Sequence, residues 1–163
     1  MPKKICLIEP KSRAHYDFEY VPTGLLSIAA VLRANGHDVS IYKEHDKIPS
    51  CDILGVSSSM VQYKSALSIA RGVDAKIKVI GGSFPTVLPA DAVMTRAFDY
   101  GIIGDGEMCM LMLANNISVR EIPGLCYKHR NAIVINPKLD LPSAQIPIPA
   151  YELIELGRCI NVN

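Results

Sequence analysis

The chain has 163 residues, of which 49% are hydrophobic, and this is enough for one ordinary domain with a sizeable core. Its formal net charge is +1 and its basic residues do not cluster, which argues against a surface for nucleic acid or anionic lipid. The apolar runs are far shorter than a membrane span, and the start "MPKKICLIEP" lacks the apolar core of a secretory signal.

Strand and helix patterns alternate along the first 116 residues. Strands are predicted at 4–9, 37–42, 51–59, 76–82 and 98–104, and helices at 22–36, 61–73, 89–96 and 106–116. The segment 83–88 is predicted to be a loop, because two glycines precede it and prolines punctuate it. This alternation predicts an α/β fold of the flavodoxin-like, doubly wound kind, with a five-stranded parallel sheet in the order 2-1-3-4-5.

The pattern changes after residue 116. Residues 122–137 alternate as a β-hairpin does, and the next stretch carries Pro142, Pro147 and Pro149, which exclude a regular helix or a central strand. We therefore divide the chain into a Rossmann-like domain at 1–120, an appended hairpin at 121–137 and a proline-rich tail at 138–163. The closing letters "RCINVN" resemble the start of another strand, so we expect the tail to be a linker toward a further domain.

The five cysteines are scattered and odd in number: Cys6, Cys51, Cys109, Cys126 and Cys159. They form no CxxC, CxxxCxxC or Cys/His ligand spacing, so we expect no zinc or iron–sulfur site within the chain. Unpaired buried thiols are typical of a reducing compartment, and the cytoplasm is the expected location.

Small residues end three successive strands of the predicted sheet. Ser57, Ser58 and Ser59 close the third strand, Gly81 and Gly82 the fourth, and the segment 104–107 (Gly-Asp-Gly-Glu) the fifth. Ligands of open α/β sheets bind outside the carboxyl ends of the strands, so these residues predict a ligand groove. The methionine-rich helix 106–116 is interpreted as core filler.

Several common sites are excluded by their missing motifs. The first strand is not followed by GxGxxG, and GxxxxGK[ST] does not occur, so neither a dinucleotide turn nor a Walker A loop is expected. A phospho-acceptor receiver needs an aspartate at the end of its third strand, where this chain has Ser57. Glu9 is the only acidic residue at the ends of the first and third strands.

An ordered set of motifs resembles the N-terminal cobalamin-binding domain of cobalamin-dependent radical SAM enzymes. The set consists of "VPTGLLSIAAVLRANGHDVSIY", "CDILGVSSS", "VIGGSFPTVLP", "DYGIIGDGE" and "IPIPAY", and it extends over essentially the whole chain. The resemblance implies that residues 1–120 hold cobalamin, with its nucleotide tail in the groove. The cofactor-binding residues that it implies are Thr23, Gly24, Ser57, Ser58, Ser59, Gly81, Gly82, Ser83, Phe84, Pro85, Gly104, Gly106 and Glu107. For Glu107, stabilisation of the helix it begins is the expected main role.

Two departures from that pattern concern histidine. The family often has a histidine before the Pro-Thr pair of the fourth-strand loop, where this chain has Phe84. Classical cobalamin carriers place a cobalt-ligating histidine in DxHxxG, whereas "SRAHYDF" has no aspartate two residues before His15 and no glycine three residues after it. We therefore expect the cofactor to be bound base-off, with no metal ligand from the protein and with His15 as a loop residue. Ligation of cobalt by His15 is the lesser alternative.

The chain lacks the CxxxCxxC loop that holds the radical SAM cluster. The resemblance therefore implies that S-adenosylmethionine and a 4Fe-4S cluster belong to a radical SAM domain or protein, in cis or in trans, for methyl transfer or related radical chemistry. The chain is not expected to be catalytic alone, and no catalytic residue is predicted.

Two alternatives remain open from the sequence. The first is a cofactor-free docking module of the same fold, which would bind its radical SAM partner without retaining cobalamin. The second is a small flavodoxin-like binder of a nucleotide or flavin, which a bound yellow chromophore would reveal.

Overall fold

The computed structural model describes residues 1–11, 21–138 and 147–154. Its strands are β1 (Lys4–Ile8), β2 (Asp38–Tyr42), β3 (Cys51–Ser57), β4 (Ala75–Gly81), β5 (Tyr100–Ile102), β6 (Leu125–His129) and β7 (Ala132–Ile135). Its helices are α1 (Thr23–Ala34), α2 (Tyr63–Gly72), α3 (Ser83–Val87), α4 (Pro89–Met94) and α5 (Glu107–Ala114), followed by a 3₁₀ turn at Tyr151–Leu153.

The strands form one mixed sheet of seven in the order β2-β1-β3-β4-β5-β6-β7. The first five are parallel, which confirms an α/β fold with a parallel centre. The predicted five-stranded sheet is wrong in strand number, because β6 pairs antiparallel with β5 and β7 with β6. Strand β5 has only three residues, and pairing with β6 satisfies the backbone groups that a sheet edge would leave open.

The sheet is covered by helices on both faces, as its uniformly apolar strands require. Ile5 and Leu7 of β1 pack on the α1 and α5 side, whereas Cys6 and Ile8 pack on the α2, α3 and α4 side. All four side chains are at most 1% exposed, so the alternating side chains of β1 contribute equally to the hydrophobic cores on the two faces of the sheet. Helix α1 ends before Gly36, whose φ of 82° allows its N–H to return to Arg33 O at 2.9 Å.

The segment predicted as a loop at 83–88 contains helix α3, so that prediction is wrong. Pro85 is the third residue of the helix, where its missing N–H removes no intrahelical hydrogen bond. Phe84 anchors the helix, since it is 5% exposed and stacks on Tyr63 with ring centroids 4.0 Å apart.

The described part of the proline-rich tail packs on α1. The N–H of Ala150 donates to Leu26 O at 3.1 Å, and Arg33 forms a 2.8 Å ion pair with Glu152. Ala150 is 4% exposed, so this short contact extends the core on the α1 side. The rest of the predicted tail, and His15, lie outside the described residues.

Candidate functional site

Two adjoining clefts open at the edge where the parallel strands end. The first, called here the apolar cleft, has a volume of about 170 Å³ and has Leu7, Val79, Ile102 and Met110 in its walls. The second, called the polar cleft, has about 250 Å³ and is lined by hydroxyl groups together with Glu9 and Gln62. Gly24, Leu25 and Ser57 belong to both linings, so one ligand could occupy the two.

Most of the residues predicted to bind a cofactor line one of these clefts. The apolar cleft is lined by Gly24, Ser57, Gly81, Gly82, Gly104, Gly106 and Glu107, and the polar cleft by Thr23, Gly24, Ser57, Ser58, Ser59 and Ser83. Phe84 and Pro85 line neither, because helix α3 turns both into the protein. Asp105, which belongs to the segment 104–107 predicted to border the groove but not to the cofactor-binding residues that the resemblance implies, also lines the apolar cleft.

The two adjacent positions at the end of β4 are glycine for different structural reasons. Gly82 has φ 90° and ψ −165°, a conformation that is essentially restricted to glycine. A Cβ on Gly82 would lie 2.8 Å from the backbone oxygen of Ser58 and 2.9 Å from its nitrogen. A Cβ on Gly81 would meet no atom within 4 Å and would stand in the apolar cleft. Gly82 is therefore required by the fold, whereas Gly81 keeps the cleft open.

The hydroxyl-bearing residues of the polar cleft also differ in role, since some bond within the protein and others do not. Ser58 is 1% exposed, and its Oγ donates to Ser59 O at 2.9 Å. Its backbone joins the neighbouring strand end, since its N–H donates to Gly81 O and its carbonyl accepts from the Phe84 N–H. The Oγ atoms of Thr23 and Ser83 make no hydrogen bond to the described residues and remain available to a ligand.

Thr86 joins the ends of β4 and β5 and was missed by the sequence reasoning. Its Oγ1 donates to Gly82 O at 2.9 Å and accepts from the Gly104 N–H at 3.0 Å. Gly82 and Gly104 both line the apolar cleft, with φ of 90° and 81°. A side chain outside the clefts therefore holds two of their walls in place.

Gly106 shows why a small residue precedes α5. A Cβ at this position would lie 2.9 Å from Cδ1 of Ile28, which also lines the apolar cleft. Glu107 is the first residue of α5, where a carboxylate stabilises the positive end of the helix dipole. The position of Glu107 thus agrees with its expected structural role while also placing it at the cleft.

Glu9 and Gln62 form a polar unit that the sequence reasoning did not identify. Gln62 is 6% exposed, and its Oε1 accepts from the N–H and the Oγ of Ser59 at 2.8 and 2.7 Å. Its Nε2 donates to Pro10 O, and it also hydrogen-bonds to the Glu9 carboxyl. Burial raises the pKa of Glu9, and the hydrogen bond from Gln62 lowers it by less. Gln62 follows the apolar Met60 and Val61, so the local sequence did not indicate this hydrogen-bond network.

Replacing Glu9 with glutamine should stabilise the chain more at neutral than at acidic pH. Because burial raises the pKa of Glu9 above its ordinary value of 4.5, the folded chain binds this proton more tightly than the unfolded chain. The resulting stability is fully present below the unfolded pKa and is lost as the pH rises through the folded pKa. The gain from Glu9→Gln in the free energy of unfolding should therefore grow from about pH 4 to about pH 7.

Urea unfolding at a series of pH values measures this gain, with Glu121→Gln as the matched control. Glu121 is exposed in the turn after α5, so its replacement should shift stability little at any pH. A Glu9→Gln gain that does not change with pH would contradict the prediction.

The described cysteines are buried free thiols. Burial raises the pKa of Cys109 and of Cys126 to about 11, and burial together with the neighbouring Cys6 raises that of Cys51 to about 12. These thiols stay protonated at neutral pH and are poor nucleophiles. Within residues 1–11, 21–138 and 147–154, no group of three or more His, Cys, Asp or Glu side chains is arranged to hold a metal ion.

The helices of the described ranges are too short or too polar to cross a membrane.

Comparison with solved structures identifies the fold of the chain. A radical S-adenosylmethionine methyltransferase, TsrM from Kitasatospora setae, solved with cobalamin and a [4Fe-4S] cluster, matches 91% of the chain with a TM-score of 0.71 at 18% identity. The cobalamin-dependent S-adenosylmethionine radical enzyme OxsB, solved with aqua-cobalamin and S-adenosylmethionine, matches 97% with a TM-score of 0.77 at 16% identity. The structural neighbours of this chain are thus cobalamin-dependent radical SAM enzymes.

The likeness is one of fold, and it spans only part of each neighbour. The chain corresponds to 31% of the TsrM chain and 25% of the OxsB chain. No protein-family model matches the sequence, and no curated protein matches it either.

Proposed function

We propose that this chain is a cobalamin-binding domain that serves a radical SAM domain or protein, in cis or in trans. The observation that carries the proposal is the apolar cleft at the carboxyl ends of β3, β4 and β5, where glycines leave open space in the walls. The fold is shared over nearly the whole chain with two enzymes solved with cobalamin bound.

The dimensions of the apolar cleft support insertion of the cofactor's nucleotide tail. Its volume of about 170 Å³ is below the roughly 300–1,000 Å³ of pockets that enclose a whole drug-sized ligand. Most side chains in its walls are aliphatic, and Gly24 and Gly81 place no side chain in it, which suits one flat bicyclic ring. The much larger corrin would rest outside, above the strand ends.

The lining residues favour base-off binding without a protein ligand to cobalt. Among the described residues that line the two clefts, none is a histidine. The protein's contribution is to hold the tail, shield the lower face of the corrin and fix its position relative to a partner. When bound, cobalamin supplies methyl-transfer or related radical chemistry, for which the sequence itself provides no cluster motif.

Each of the two alternatives has a specific observation against it. A cofactor-free docking module would be favoured by a change in the cleft, but Phe84, which departs from the family pattern, packs on Tyr63 in the core and lines neither cleft. The flavin alternative needs stacking partners, and no aromatic side chain is among the described residues lining the clefts. Both observations favour cobalamin over these alternatives.

Retention of hydroxocobalamin tests the proposal directly. The purified chain is incubated with hydroxocobalamin and desalted, and its visible spectrum is recorded. We expect about one cobalamin per chain, and a cobalt(II) EPR spectrum that shows no nitrogen bound below the metal. A colourless protein, or a yellow protein that releases a flavin, would contradict the proposal.

A further inference from the structure

The polar cleft contains a single ionisable side chain among the described residues that line it. Glu9 is accompanied there by Thr23, Ser57, Ser58, Ser59, Gln62 and Ser83, with Gly24 and Leu25. An anionic ligand group would therefore face the Glu9 carboxyl, and no cationic side chain is among the described residues that line this cleft of about 250 Å³. The composition of this cleft favours an uncharged polar group over a phosphate or a carboxylate.

Gln62 lies beside the Glu9 carboxyl and hydrogen-bonds to it, which lowers the pKa of Glu9 by less than burial raises it. The Gln62 amide is committed on both sides: its oxygen accepts twice from Ser59, and its nitrogen bonds to Pro10 O and to Glu9. Gln62 is 6% exposed and its Nε2 donates to Pro10 O, so we assign it a positioning role and not a contact with the ligand. The carboxyl of Glu9 retains acceptor capacity, because a carboxylate has two oxygens and can accept several hydrogen bonds.

Hydroxyl groups accompany the carboxyl in the same lining. Thr23 begins α1 and Ser83 begins α3, and both residues are exposed and line the polar cleft. Their Oγ atoms make no hydrogen bond to the described residues and can donate to a carbonyl oxygen. An acceptor and free donors in one cleft match a group that has both an N–H and a C=O.

We propose that the polar cleft binds a primary carboxamide, whose N–H donates to Glu9, and that Glu9 rejects a carboxylate in its place. This rests on the proposed function, since cobalamin carries primary carboxamides around the rim of its corrin. The polar cleft adjoins the apolar cleft through Gly24, Leu25 and Ser57, so a ligand tail in one places its attached ring near the other.

Cobalamin derivatives with one rim amide hydrolysed to a carboxylate test this inference. The dissociation constants of hydroxocobalamin and of the monocarboxylic acids made from each of its rim carboxamides in turn are measured by absorbance titration at about pH 8, above the ordinary titration range of a carboxyl group. We expect one of the acids to bind the wild-type chain about tenfold more weakly than hydroxocobalamin, because its carboxylate faces Glu9. In Glu9→Gln, the ratio of the two constants should fall toward one.

Glu121→Gln serves as the control and should keep the wild-type ratio. Equal binding of hydroxocobalamin and of the monocarboxylic acids made from each rim carboxamide, the acetamides included, by the wild-type chain would overturn the inference while leaving the proposed function intact. An unchanged ratio in a folded Glu9→Gln would overturn it as well, since the discrimination would then come from elsewhere. Failure of the wild-type chain to bind hydroxocobalamin itself would overturn the proposed function, and this inference with it.

Discussion

Gly82→Ala should destabilise the fold by about 3 kcal/mol or more, because two penalties act at one residue. The backbone there has φ 90° and ψ −165°, which an L-residue adopts only with strain of roughly 1–3 kcal/mol. The added methyl would also lie 2.8 Å from Ser58 O and 2.9 Å from Ser58 N. These are backbone atoms in the link between β3 and β4, so they cannot rotate away as a side chain would.

Gly81→Ala is the matched control for this prediction. It adds the same methyl one residue earlier, where the nearest heavy atom lies more than 4 Å away. Its effect on stability should stay within about 1 kcal/mol, since alanine also restricts the unfolded chain, which offsets part of any cost. Urea unfolding followed by circular dichroism measures both variants, and equal midpoints for the two would contradict this account of Gly82.

Gly81→Leu should weaken hydroxocobalamin binding about a hundredfold, which corresponds to about 2.7 kcal/mol, while the chain remains folded. The space beside Gly81 belongs to the apolar cleft, so a leucine side chain there would occupy the volume assigned to the nucleotide tail. Absorbance titration gives the dissociation constant, and the unfolding midpoint shows whether the fold is retained.

Gly72→Leu controls for the introduction of a leucine at a glycine. Gly72 ends α2, and a Cβ there would also meet nothing within 4 Å, yet the residue lines neither cleft. Binding should be unchanged in Gly72→Leu. If Gly81→Leu binds hydroxocobalamin as tightly as the wild-type chain does, the tail does not lie in the apolar cleft.

Local sequence patterns predicted whether most segments are strands or helices, because the spacing of apolar residues reflects which side chains are buried. The apolar strand at Ile5–Ile8 and the stripe of Leu25, Ala29 and Leu32 in α1 both indicate faces that must be removed from water. The segment 83–88 was mispredicted, because a proline in the first turn of a helix resembles a loop signal when the chain is viewed alone.

The position of the candidate site was also predictable in outline. Parallel strands end at one edge, so Ser57, Gly81 and Gly104 had to come together once the strand order was assigned. The reasons for the individual residues were not predictable. Only the backbone geometry shows that Gly82 avoids Ser58, that Gly81 borders open space and that Ser58 is occupied within the protein.

The sequence by itself determined the alternation of strands and helices and the small residues at the strand ends, since both depend on residues that are close together in the sequence. Tertiary structure alone decided that β6 and β7 continue the sheet, because a hairpin pattern specifies its own two strands and not the edge that they join. It also decided the contacts of Gln62 with Pro10 and of Thr86 with Gly104, which lie 52 and 18 residues apart. Such hydrogen bonds depend on which chain segments the folded core brings together, and no local pattern encodes that.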